Sequence, residues 1–232
     1  MAQIDALLKM MAARHCSDLH VKAGTSPAVR LDGTLTILRD LPVIDAASTE
    51  ALAREVLEPR HRTLFEDGRD IDMAYSLSGV GRFRINIYRQ SGAVSIAVRR
   101  VSTDRHSFAE LGLPAAVEQL ANEARGLVLV TGTAGSGKTT TIAAMIDYIN
   151  RTRNGHIVTI EDPIEVQHED QGCVIDQREI GIDTDSYGDA LRHVVRQDPD
   201  IVFIGEMRDH TTVSAALTAA EIGNLVLSTL HT

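Results

Sequence analysis

The chain has 232 residues, 44% hydrophobic and 24% charged, a globular balance that excludes wholesale disorder and allows one large domain or two small ones. Its formal net charge of −9 speaks against a general nucleic-acid binder, so no nucleic-acid partner is expected. Cys16 and Cys173 form no CxxC pair and no apolar run reaches the length of a membrane span, which leaves a reduced, cytoplasmic protein without a zinc site as the expectation.

Ile4, Leu7, Leu8 and Met11 recur at helical spacing and predict an amphipathic opening helix. Short strands are predicted at 18–21, 28–31 and 34–37, with Asp32-Gly33 as the hairpin turn between the last two. A helix over 48–57, ended by Pro59, leads to a strand at 70–77 that Ser78-Gly79-Val80-Gly81 closes. The clearest alternation follows: Phe83, Ile85 and Ile87 face one way, and Arg82, Arg84 and Asn86 the other. With a further strand at 93–99 these segments predict an antiparallel sheet, one face covered and one basic and exposed, in a small α+β domain over 1–100.

Polar residues 101–107 read as a linker. From 108 to 232 apolar strands alternate with helical segments, as parallel α/β folds require. Strands are predicted at 126–131, 156–160, 201–204 and 225–230, with a helix running to Thr152. His15, Cys16 and His20 lie close together without the spacing of a metal site, and His193, expected on a helix, reads as easily structural as functional.

Between the strand at 126–131 and the helix stands Gly132-Thr133-Ala134-Gly135-Ser136-Gly137-Lys138-Thr139, followed by Thr140. Glycines at these spacings let the backbone turn tightly and aim N–H groups at phosphate oxygens, with the helix N-terminus adding positive charge. Lys138 is expected to reach the β- and γ-phosphates of ATP, and Thr139 to complete the shell of a Mg²⁺ ion. The strand before Gly205-Glu206-Met207-Arg208-Asp209 delivers Glu206 to the C-terminal edge of the sheet as a second metal residue. The plainer reading of Glu206 is a solvated acid at a strand end. Glu161-Asp162-Pro163-Ile164-Glu165 places three carboxylates in five residues, one to act on water and another to bind metal through water. The plainer reading there is an acidic loop start.

Together these segments resemble the secretion ATPase family of type II and type IV systems. Glu161-Asp162-Pro163-Ile164-Glu165 is similar to its Asp box and Gly205-Glu206-Met207-Arg208-Asp209 to its atypical Walker B. The stretch from Ala219-Ala220-Glu221 through Ser228-Thr229-Leu230-His231-Thr232 is similar to its His box. Ser17-Asp18-Leu19-His20 and Gln177-Arg178-Glu179-Ile180-Gly181 resemble it too. The likeness runs the whole chain, in the family's order, and is nearest the motors that retract type IV pili. It implies a PAS-like N-terminal domain, a RecA-like core, and a hexameric ring with ATP between neighbouring subunits. Glu165 matches the general base of the family, with Glu161 in the same box. Glu206 matches the residue near Mg²⁺, His231 the histidine near the γ-phosphate, and Arg84 and Arg99 the arginine fingers. The resemblance also implies a ring docked on the pilus platform protein at the cytoplasmic face of the inner membrane, peripheral to it.

Two departures stand out. The His box has Glu221-Ile222-Gly223-Asn224 where the family commonly has Glu-Thr-Gly-His, and the chain ends at Thr232 inside that box, so a truncated core is expected. Pilus-extension and type II secretion ATPases share the boxes; a start directly at the PAS-like block favours the retraction branch. A ring subunit that binds ATP without hydrolysing it is the rival from another class. A DNA-dependent recombinase is disfavoured by the acidity and the lack of a basic aromatic surface.

Overall fold

A computed structural model describes residues 3–230, and the chain divides into two compact units, Met1–Val101 and Ser102–Thr232. No helix among the described residues is long and apolar enough to cross a membrane.

In the first unit α1 (Gln3–Ala13) is followed by β1 (Asp18–Lys22), β2 (Ala28–Leu31), β3 (Thr34–Ile37), α2 (Ala46–Val56), α3 (Pro59–Glu66), β4 (Ile71–Leu77), β5 (Gly81–Gln90) and β6 (Ala93–Arg100). The six strands run β3-β2-β1-β6-β5-β4, each pair antiparallel. Ile4, Leu8 and Met11 of α1 are buried against the covered face of this sheet, with Leu7 at the margin. Asp32 and Gly33 both have positive φ, 48° and 79°, as a two-residue turn matched to strand twist demands.

The predicted alternation on β5 holds. Phe83, Ile85 and Ile87 are at most 1% exposed, while Arg84 on the other face is half-buried. The helix expected at 48–57 begins earlier, because the Asp45 side chain caps it by accepting from Ser48 N–H at 2.7 Å. Pro59 does more than end it: proline suits the first helical position, and α3 starts there.

Of the stretch 101–107, Val101 is buried in the first unit and its N–H donates to Arg82 O at 2.9 Å. Ser102 belongs to the second, where its N–H donates to Glu165 O and its carbonyl accepts from Gln167 N–H.

The second unit holds α4 (Ala115–Ala121), β7 (Gly126–Thr131), α5 (Lys138–Thr152), β8 (Gly155–Glu161), β9 (Cys173–Glu179), α6 (Tyr187–Val194), β10 (Ile201–Ile204), α7 (His210–Glu221) and β11 (Leu225–Leu230). Its sheet is parallel, in the order β7-β11-β10-β8-β9. Continuous apolar strands are what a sheet covered on both faces needs. Ile201 and Phe203 join α5 in one core, and Val202 and Ile204 join α6 and α7 in another. Strand β9 escaped sequence reading because it is an edge strand, with only Cys173 and Glu179 buried.

Candidate functional site

From the end of β7 the chain turns through Gly132, Gly135 and Gly137, with φ of 153°, 74° and 91°, a region side-chain-bearing residues avoid. At Gly132 space also forbids a side chain, since a Cβ would lie 2.6 Å from Ser136 Oγ. Gly137 caps a 15-residue helix without any side-chain acceptor, so the first N–H groups of α5 point toward whatever anion enters the turn. Lys138 is buried, its ammonium donating to the carbonyls of Gly132 and Thr133 at 2.9 and 2.8 Å. A large positive charge thus lies on the loop itself.

This loop forms one wall of a cleft of about 390 Å³. Ala134, Thr139 and Thr140 line it on the loop side; Glu161, Asp162, Glu165 and Glu206 line it opposite. From β8 the chain passes outward to β9 and returns on the other side of β8 as β10. The acids therefore stand at the point where strand order reverses, where open parallel sheets bind ligands. Gly205 makes the approach of the two strand ends possible. A Cβ there would come within 3.1 Å of Tyr187 Oη and 3.3 Å of Glu161 Cα. Glu206, next in sequence, accepts from Arg208 Nε at 2.8 Å, with a second guanidinium nitrogen at 2.7 Å.

Glu161 is 5% exposed and accepts from Thr159 Oγ1 at 2.6 Å and Gln177 Nε2 at 3.2 Å. Burial pushes its carboxyl up to about 7, against the pull of those donors and of the Glu165 backbone N–H. Glu179 of β9, also buried, accepts from Ile164 N–H at 3.4 Å. The turn 162–165 is thus fastened from two sides, with Glu165 itself exposed.

The raised carboxyl makes stability depend on pH. Glu161 ionises near 4.5 when unfolded and near 7 in the fold. Between these values the folded state holds a proton that the unfolded chain has released. Its contribution is present below 4.5 and lost as pH rises to 7, about 3 kcal/mol at most. Glu161→Gln keeps an acceptor and cannot ionise. Its melting temperature should therefore fall less than that of the wild type between pH 5 and pH 8 in calorimetric scans. Parallel pH profiles would show that the proton sits elsewhere.

Arg84 and Arg99 lie in the first unit, directly opposite each other on β5 and β6. Asp18 faces Arg99 from β1 and accepts from its Nε at 2.8 Å. Burial raises the Asp18 carboxyl, but hydrogen bonds from Arg99 and Ser17 outweigh it and hold the group below its usual range. His231 lies outside the described residues. Asn224 precedes β11 and donates to the Pro199 carbonyl, so it stands at the end of the sheet away from the cleft. The first histidine position of the box is therefore remote from the acids.

Sequence reading missed Tyr187 and Arg208. Arg208 reaches back two residues to Glu206 through an irregular turn, which has no periodic signature. Tyr187 lines the cleft from the first turn of α6. Burial raises its phenol above the ordinary value, as do Asp162 and, less, Glu161 and Glu206, against the opposing pull of Arg208.

Among the described residues no group of three or more His, Cys, Asp or Glu is placed to cage a metal ion. A hydroxyl and one or two carboxylates facing a phosphate cradle fit Mg²⁺, which takes its other oxygens from water and substrate phosphates.

A glycine-rich turn between a parallel strand and a helix, with carboxylates at the neighbouring strand ends, defines a P-loop NTPase core. The chain belongs to the type II/IV secretion system protein family, whose model matches residues 3–232. It is 43% identical over 229 residues to the type IV pilus retraction ATPase PilT of Pseudomonas aeruginosa, covering 99% of this chain and 66% of that protein. It is 40% identical over 207 residues to a twitching motility protein of Neisseria gonorrhoeae, covering 89% and 55%. A crystal structure of the pilus retraction motor PilT with bound ADP matches at a TM-score of 0.92 and 46% identity, over 100% of this chain and 67% of that one. That match covers both units, and the expected PAS-like domain followed by a RecA-like core holds. The chain spans 66% and 55% of the two relatives' lengths.

Proposed function

We propose that this chain binds MgATP at its phosphate loop and hydrolyses it as a subunit of a hexameric ring that retracts type IV pili. One observation carries the reading: the phosphate loop and the acids after β8 and β10 line a single cleft. The likeness to an ADP-bound retraction motor supports it.

Residues 132–140 cradle the phosphates with their backbone N–H groups. The Lys138 ammonium turns from the Gly132 and Thr133 carbonyls to the β- and γ-oxygens. The Thr139 hydroxyl and Glu206 would hold Mg²⁺, which would supply charge neutralisation for the transferring phosphoryl group. Glu165 takes the proton of the attacking water, on a turn that Glu161 and Glu179 fasten. Arg84 and Arg99 come from a neighbouring subunit. The ring works in the cytoplasm, docked on the platform protein of the pilus at the inner membrane.

Binding and chemistry separate in one variant. Glu206→Gln should bind MgATP within about threefold of wild type and turn it over about 100-fold more slowly, because it removes charge placed for the metal and keeps the loop. Near-normal turnover would remove Glu206 from the chemistry, and lost turnover would also set aside a ring that only binds ATP. In the host the same variant should leave pili assembled and unable to retract. Loss of the pili themselves would place the motor on the extension side.

A further inference from the structure

The roles assigned above leave Tyr187 unused. It opens α6 just after Ser186, whose hydroxyl accepts from Asp189 N–H at 3.1 Å and fixes the start of the helix. Its ring packs at the margin of the core between the sheet and helices α6 and α7. Its hydroxyl emerges against Gly205, where a Cβ would meet it at 3.1 Å. The groups acting on that hydroxyl are Asp162 and Glu161 at the end of β8, and Glu206 and Arg208 after β10. All of these except Arg208 line the same cleft as Lys138 and Thr139.

Ionised carboxylates only accept hydrogen bonds, and like charges gathered in a half-buried cleft repel one another. A phenol in their midst is a neutral donor on a stiff ring with two rotatable bonds. The absence of a side chain at Gly205 is what lets it reach them.

We propose that the Tyr187 hydroxyl is a positioning donor for hydrolysis. Its single O–H donates a hydrogen bond to the Asp162 or the Glu206 carboxylate, directly or through one water, and holds that carboxylate toward the terminal phosphate. This rests on the ATPase reading and adds to it a residue outside the phosphate loop and the acidic boxes. The donor contributes little to nucleotide binding as such. Its effect appears when charge on the phosphoryl group is redistributed, so it belongs to the transition state more than to the ground state.

The test is Tyr187→Phe in the assembled full-length protein, since phenylalanine keeps the ring and its packing and removes only the hydroxyl. Turnover of MgATP should fall about tenfold, the scale of one hydrogen bond to a charged group, with KM within about twofold. Binding of MgADP with aluminium fluoride, which mimics the transferring phosphoryl group, should weaken about tenfold while MgADP alone binds as before. Wild-type turnover, or equal weakening of both complexes, would overturn the role. A wild-type protein that binds MgADP and releases no phosphate would end the ATPase reading by itself. The ratio of the two affinities would still decide Tyr187: reduced in the variant it supports the role, unchanged it overturns it. A wild-type protein that binds neither complex would overturn both.

Discussion

Lys138→Ala should reduce MgATP affinity by about 100-fold or more and leave the fold intact. Nucleotide phosphates bring several negative charges into the turn after β7, and Lys138 is the side-chain cation that lies on that turn, held by two of its carbonyls. A charge-assisted hydrogen bond contributes about 1.5–3 kcal/mol, and the ammonium has three protons to share among phosphate oxygens. Alanine at the first position of α5 suits a helix, and the two released carbonyls lie in a loop that water reaches. Titration calorimetry measures the loss directly. A thermal scan reports it too: nucleotide at about 100 times the wild-type dissociation constant stabilises the wild type by about 2.7 kcal/mol, and the variant by a few tenths. An unchanged nucleotide-dependent shift in Lys138→Ala would mean that phosphates bind somewhere else.

The glycine-rich loop was legible because its shape is written in local backbone demands. Gly132, Gly135 and Gly137 adopt conformations that other residues avoid, and the strand and helix on either side carry strong patterns. The buried strands β8, β10 and β11 were legible for the same reason, as apolar runs. Less local features stayed hidden. Glu161 and Glu165 look alike in sequence, yet one is buried under three donors and the other is exposed. Thr159, two residues earlier on β8, is the one local donor; the others come from Gln177 on β9 and from the turn between the two glutamates, which sequence does not show. Tyr187 was invisible for a related reason. Its spacing marks it as an ordinary helix residue, and only the approach of α6 to Gly205 brings its hydroxyl into the cleft. Strand β9 lost its signal to its position at the sheet edge, where an exposed face takes polar residues. The Asp-Gly turn after β2 needed no tertiary information, and it formed as expected.

Arg84→Ala should lower ATP hydrolysis by about 10³-fold or more while leaving Lys138-dependent binding detectable. An arginine supplied to a transferring phosphoryl group contributes about 10³–10⁵ in rate. Arg84 stands on the face of β5 opposite Phe83, Ile85 and Ile87, beside Arg99 on β6. Arg99 is fixed by Asp18 at 2.8 Å, whereas the core beneath the strand owes nothing to the Arg84 side chain. Stability should therefore change by no more than about 0.5 kcal/mol. An ordinary solvated strand face predicts the same stability and an unchanged rate, so the rate alone distinguishes the two.

The most direct test of an ATP-driven ring with shared sites is phosphate release from MgATP by mixed assemblies of the full-length protein. Wild type should hydrolyse, and Lys138→Ala and Arg84→Ala alone should each stay near background. Mixed in equal amounts, the two variants should regain part of the wild-type rate, because an intact phosphate loop on one subunit can meet an intact arginine from its neighbour. A mixture no more active than either variant would contradict an arginine acting across the subunit boundary, and a silent wild type would contradict the motor itself.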